Sequence, residues 1–137
     1  MVWLCMQMVG CEGWPDNKQL ICAAYACTEA ALQVTFPDEH RPLIAIRTAR
    51  ACLKGEAALR EVKKAVDGSF DAAIEITGAA DAYTAACFAD YAVRYPEEAV
   101  YCADAAMCEA ARVVSQKDLA SLIRKEIPCL PQLNMEE

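Results

Sequence analysis

Residues 36–56 read FPDEHRPLIAIRTARACLKGE. This stretch carries both ends of a helix within one short window. Phe36-Pro37 closes whatever precedes it, because the residue before a proline is pushed out of the helical region. Pro42 suits a first helical turn, where its missing N–H costs nothing. Asp38 and Glu39 suit the positive end of the helix dipole. Leu43, Ile46, Ala49 or Arg50, and Leu53 then recur at steps of three and four, the period of one helix face. Lys54 falls in the last turn, and Gly55 is a stop signal. A helix with that punctuation, repeated along the chain, predicts an all-α fold.

The same punctuation extends in both directions. Upstream, Trp14–Asn17 supplies a turn and offers Asp16 or Asn17 as an N-cap. A helix is expected over Lys18–Thr35, with Leu20, Ala24, Cys27, Ala31 and Val34 near one face. Downstream, Glu56–Val66 predicts a short amphipathic helix, with Leu59, Val62 and Val66 inward and Arg60, Lys63 and Lys64 outward. Asp67-Gly68 reads as a break. Ser69 then caps a fourth helix toward Arg94, with a bend near Thr77-Gly78. Its second half is apolar nearly all round, so it is the expected central buried helix. Pro96 opens a fifth helix reaching about Val114, and Ser115 with Asp118 opens a sixth as a capping box. Pro128 stops it.

The expected architecture is a compact single-domain bundle of five to six helices spanning residues 1–137. Residues 1–16 form an N-terminal arm and 128–137 an irregular tail. Composition agrees: the chain is 56% hydrophobic with 7% aromatic residues, an alanine-rich profile that favours closely packed helices over a sheet. The net charge of −7 argues against a nucleic-acid partner, which needs a basic footprint. It suits a basic protein partner. No apolar run reaches the length of a membrane span. The apolar N-terminus has no Lys or Arg ahead of it, which argues against a secretory signal.

There are nine cysteines and one histidine. No Cys-x-x-Cys occurs, so neither a metal site nor a cofactor is expected. The thiols read as small buried hydrophobes of a reduced, cytoplasmic protein, with Cys22, Cys52, Cys87 and Cys102 slow to react. No catalytic residue is assigned. His40, between Glu39 and Arg41, reads as part of a solvated helix start.

Arg47, Arg50 and Lys54 make a basic stripe. Arg50 lies closest to the apolar seam, so it is expected to pair with an acid from an inner helix: Asp81, Asp90 or Asp104. Asp81, Thr84, Tyr91 and Arg94 form a candidate polar strip. Tyr83, Tyr91, Tyr95 and Tyr101 read as core or groove walls.

The window as a whole has the pattern P-D-E-x-R-P-x-x-A-I-x-x-A-R-A-x-L-x-G-E. It resembles the immunity proteins associated with bacterial polymorphic toxins, in particular the immunity-five-like helical domain. The matching positions are Pro37, Asp38, Arg41, Pro42, Ala45, Ile46, Ala49, Arg50, Gly55 and Glu56. The chain departs at Cys52, where a tryptophan is common, and lacks the histidines of the later helices. The resemblance implies an all-helical domain that neutralises a toxin by binding and occluding it, without catalysis. A second expectation is a non-enzymatic structural or regulatory helical module, encoded by a bacterium or a phage, that self-associates as a homo-oligomer. A third is an enzyme using a thiol or carboxylates.

Overall fold

The computed structural model describes residues 16–75 and 80–127. Among these residues are six helices: α1 (Asn17–Thr35), α2 (Arg41–Leu53), α3 (Leu59–Glu75), α4 (Ala80–Arg94), α5 (Val100–Ala110) and α6 (Gln116–Glu126). No strand occurs among the described residues. The fold is an all-α helical bundle. The proposed arm, apart from Asp16, the bend at Thr77-Gly78 and the tail from Pro128 lie outside the described residues.

The local signals set the ends of α1, α2 and α6. Asp16 Oδ1 accepts from the Gln19 backbone N–H at 2.8 Å, and Gln19 Oε1 accepts from the Asp16 N–H at 3.1 Å. That reciprocal capping box satisfies two donors that would otherwise lack partners. Ser115 Oγ accepts from the Asp118 N–H at 3.2 Å, although Asp118 is not seen to return the bond. At the end of α2, Gly55 has φ +78°. The Glu56 N–H reaches the Ala51 carbonyl at 2.8 Å and the Gly55 N–H reaches Cys52 at 3.0 Å. This paired closure needs a left-handed residue, which glycine supplies without a Cβ penalty.

The bundle is centred on α1, which packs against α2, α5 and α6 and more lightly against α4. Leu20–Cys27 is buried around its whole circumference. Alanines at 23, 24 and 26 make room for neighbours on every side. Tyr25 is the large exception. It is fully buried, its ring lies 4.7 Å from that of Phe88, and its hydroxyl faces the Phe88 and Ala89 carbonyls at 3.2 and 3.3 Å. Burial pushes its phenol pKa well up. The expectation that the fourth helix forms the centre is therefore corrected. α4 buries Ala82, Ala85, Ala86, Phe88, Ala89 and Ala92 but exposes Tyr83, Thr84, Tyr91 and Arg94.

Several helix boundaries also differ from expectation. Asp67-Gly68 does not break the chain, because α3 runs straight through to Glu75. Val62, Val66, Ser69 and Ala72 keep one continuous buried face, and its burial outweighs the roughly 1 kcal/mol cost of an internal glycine. Ser69 is not a cap. It is fully buried in mid-helix and donates to the Ala82 carbonyl of α4 at 2.9 Å. Pro96 opens a turn, not the helix itself, and α5 ends at Ala110, short of Val114.

Candidate protein-binding surface

The window 36–56 first ties helices together. Arg41 forks onto Glu39, with Nε to Oε1 at 2.6 Å and an Nη to Oε2 at 3.1 Å, and the same Nη meets Glu75 at 2.7 Å. The start of α2 is thereby fastened to the end of α3. The bonds from Arg41 hold the carboxyls of Glu39 and Glu75 below their ordinary pKa. Pro42 and Ile46 are fully buried beneath this clamp. Asp38, His40 and Glu56 are exposed, and His40 makes no side-chain cap bond.

Arg50 lies between two other helices. It meets Glu29 of α1 and Glu126 of α6, each at 3.2 Å. Arg47 also meets Glu29 at 2.7 Å, and Lys54 meets Glu126 at 3.2 Å. The basic stripe is thus interleaved with two mostly buried carboxylates and ties α2 to α1 and α6. The expected partners Asp90 and Asp104 are corrected here, since Arg50 pairs with Glu29 and Glu126. Asp90 is held by Arg94 within α4 at 2.9 Å. Asp104 is half-buried on α5 and enters no ion pair among the described residues. The Asp81 side chain lies outside the described atoms. Asp90 and Asp104 are not joined to each other by a hydrogen bond or a shared ion-pair partner among the described residues.

A second surface emerges on α4, the turn after it, and α5. Tyr83, Tyr91, Tyr95 and Tyr101 are 57%, 37%, 52% and 82% exposed. They are neither core nor enclosed groove walls. The Tyr91 and Tyr95 rings are 5.3 Å apart, and Tyr91 donates its hydroxyl to Glu98 Oε2 at 2.8 Å. That bond raises the Tyr91 pKa. Tyr83 leans on Phe70 of α3 at 5.3 Å. The charge around them is one-sided. Residues 65–111 hold nine acids and a single basic residue, Arg94, a net of −8, so the rest of the chain carries +1. The whole negative balance of the protein resides in this segment.

Glu29 and Glu126 do not stand out in the sequence, and the four tyrosines stand out there as core or groove walls, not as exposed residues. The two glutamates look like ordinary solvated helix acids. The charge asymmetry was countable, and it is the signal that would have directed attention to α4 and α5.

The six described cysteines, 22, 27, 52, 87, 102 and 108, are all free. Burial pushes the Cys22 thiol up to about 11 and Cys27 up to about 12, which suppresses the reactive thiolate at neutral pH. Cys52, Cys87 and Cys102 are half-buried, less enclosed than expected, and Cys108 is exposed. An open groove of about 580 Å³ runs between α2 and α3, bordered by Ile44, Arg47, Thr48, Glu61 and Lys64. A cleft of about 320 Å³ beside Glu29, Gln33, Arg50 and Leu122 flanks the ion-paired strut. Among the described residues, no helix is long and apolar enough to cross a membrane. No family model, curated protein or solved structure matches the chain.

Proposed function

We propose that this chain is an immunity protein that neutralises a bacterial toxin by direct binding, covering a basic catalytic or substrate cleft. The observation that carries this reading is the segregation of charge along the chain: residues 65–111 carry a net −8 and bear four exposed tyrosines. Tyrosine supplies large contact area at low entropic cost and is enriched where proteins bind tightly. A one-signed field accelerates encounter with a partner of opposite charge and discriminates against acidic ones. The resemblance of Pro37–Glu56 names the class of partner. In this reading Asp38, Arg41, Pro42, Ile46, Arg50, Gly55 and Glu56 build the scaffold, and α4 and α5 make the contact. Self-association through the same face is disfavoured, because two copies would bring like charges together.

The test is co-expression in a bacterium. Products of reading frames neighbouring the gene are expressed one at a time, with and without this chain. The proposal requires that at least one arrests growth, that the chain restores it, and that the two proteins elute as one complex. If no neighbouring product is toxic, or if rescue occurs without a complex, the proposal is wrong.

A further inference from the structure

We infer that Tyr91, Tyr95 and Glu98 together form a receptor for one arginine side chain of a protein partner. The inference rests on the proposed reading that α4 and α5 meet a basic protein surface.

The corner is built by the turn that follows α4. The Tyr95 carbonyl accepts the N–H groups of Glu98 and Ala99 at 3.1 and 3.0 Å. This folds the chain back and sets Glu98 beside the last turn of α4. There Tyr91 donates to Glu98 Oε2 at 2.8 Å. The Tyr91 and Tyr95 rings are tilted by 45° at a centroid distance of 5.3 Å. Nothing fits between rings that close, so a ligand would lie over their exposed outer surface. Three side chains are thus held in place before any partner arrives, which lowers the ordering cost of binding.

The chemistry of the corner selects a cation. Two aromatic faces attract positive charge through their quadrupoles. Glu98 commits one carboxylate oxygen to Tyr91, while Oε1 accepts no protein hydrogen bond among the described residues. No Lys or Arg forms an ion pair with Glu97 or Glu98 among the described residues, and Arg94 is tied back to Asp90. A guanidinium matches better than an ammonium. It is planar, stacks on a ring, and keeps N–H donors in the ring plane to reach a carboxylate at the edge.

The test uses the full chain labelled with 13C in the tyrosine rings. Its five tyrosines are assigned by single Tyr→Phe variants and titrated with capped hexa-arginine and hexa-lysine peptides. Tyr91 and Tyr95 should shift saturably with hexa-arginine, while buried Tyr25 stays still. Glu98→Gln and Tyr95→Leu should each weaken binding by about tenfold. Hexa-lysine should bind several-fold more weakly. Equal binding by the two peptides, an unchanged Kd in Glu98→Gln, or shifts confined to other tyrosines would overturn the receptor. Both substituted positions are exposed, and thermal melts verify that the variants fold. Arginine binding without growth rescue would leave the receptor standing and remove the toxin reading. Rescue that is untouched by Glu98→Gln and Tyr95→Leu would do the reverse.

Discussion

Arg50→Ala should destabilise the fold by about 2 kcal/mol, worked as follows from the two carboxylates the arginine serves. Glu29 Oε2 is shielded from solvent and accepts no well-aligned hydrogen bond, so Arg50 at 3.2 Å is the charge that faces it. Glu126 Oε1 is the second contact, also at 3.2 Å. Both glutamate side chains are 15% exposed, and Arg50 is 27% exposed. Each lost contact in such a half-screened setting costs about 1 kcal/mol, between the values for surface and buried pairs. Truncating the stem adds a few tenths. The loss stays below that of a wholly buried pair because Arg47 still holds Glu29 and Lys54 still holds Glu126. With a urea m-value of about 2 kcal/mol/M, the midpoint should fall by roughly 1 M. Arg50→Met retains most of the stem and isolates the charge contribution. Arg47→Ala is the control. Its side chain is 51% exposed, and its loss should cost under about 0.5 kcal/mol. Equal midpoints for Arg50→Ala and the unaltered protein would refute the assignment of Arg50 as a strut between α1, α2 and α6.

Gly68→Ala should raise stability by about 0.5–1 kcal/mol in the same melts, since a Cβ there meets nothing within 4 Å and the position is mid-helix. Tyr25→Phe should cost about 1 kcal/mol through the lost hydroxyl bond, and Tyr25→Ala about 3–5 kcal/mol through the cavity left at the centre. Among the six described cysteines, native-state thiol labelling at pH 8 should modify Cys108 first and Cys22 and Cys27 last, because the latter pair have raised pKa values and little exposure. Glu39 has a folded pKa below its ordinary 4.5, so its contribution is present above that value and is lost as pH falls through the depressed one. Arg41→Gln should therefore flatten the loss of stability measured below about pH 4.5.

The signals that the sequence displayed faithfully act over three or four residues. Asp16 with Gln19, Pro42, Gly55 and Ser115 each act within one turn of themselves, so their roles are visible in a short window. The main failures involve distant partners. Gly68 looks like a break until the burial of Ser69 and Ala72 against α4 is known. Arg50 finds Glu126 at a separation of 76 residues, and nothing local distinguishes that acid from its neighbours. α4, whose sequence is apolar nearly all round, is not the central helix: Tyr83, Thr84, Tyr91 and Arg94 leave one side of it exposed, whereas Leu20–Cys27 of α1 is covered on every side. Tyrosine carries both an apolar ring and a polar tip, so pattern alone cannot say whether it lines a core or a contact. The charge imbalance of residues 65–111 needs only counting, yet it acquires meaning once the tyrosines beside it prove exposed.

In the proposed function, the exposed tyrosines and acids of α4, the following turn and α5 meet a toxin. The most direct measurement compares growth rescue and toxin affinity for two charge-reversed proteins. One carries Glu97→Lys and Glu98→Lys, and the other carries Lys63→Glu and Lys64→Glu on the exposed side of α3. All four positions are exposed, so both proteins should fold normally. The first should lose rescue and bind toxin about 100-fold more weakly, while the second should rescue fully, because reversal of a contact charge turns attraction into repulsion. Full rescue by the Glu97/Glu98 variant, or loss of rescue confined to the Lys63/Lys64 variant, would contradict the account.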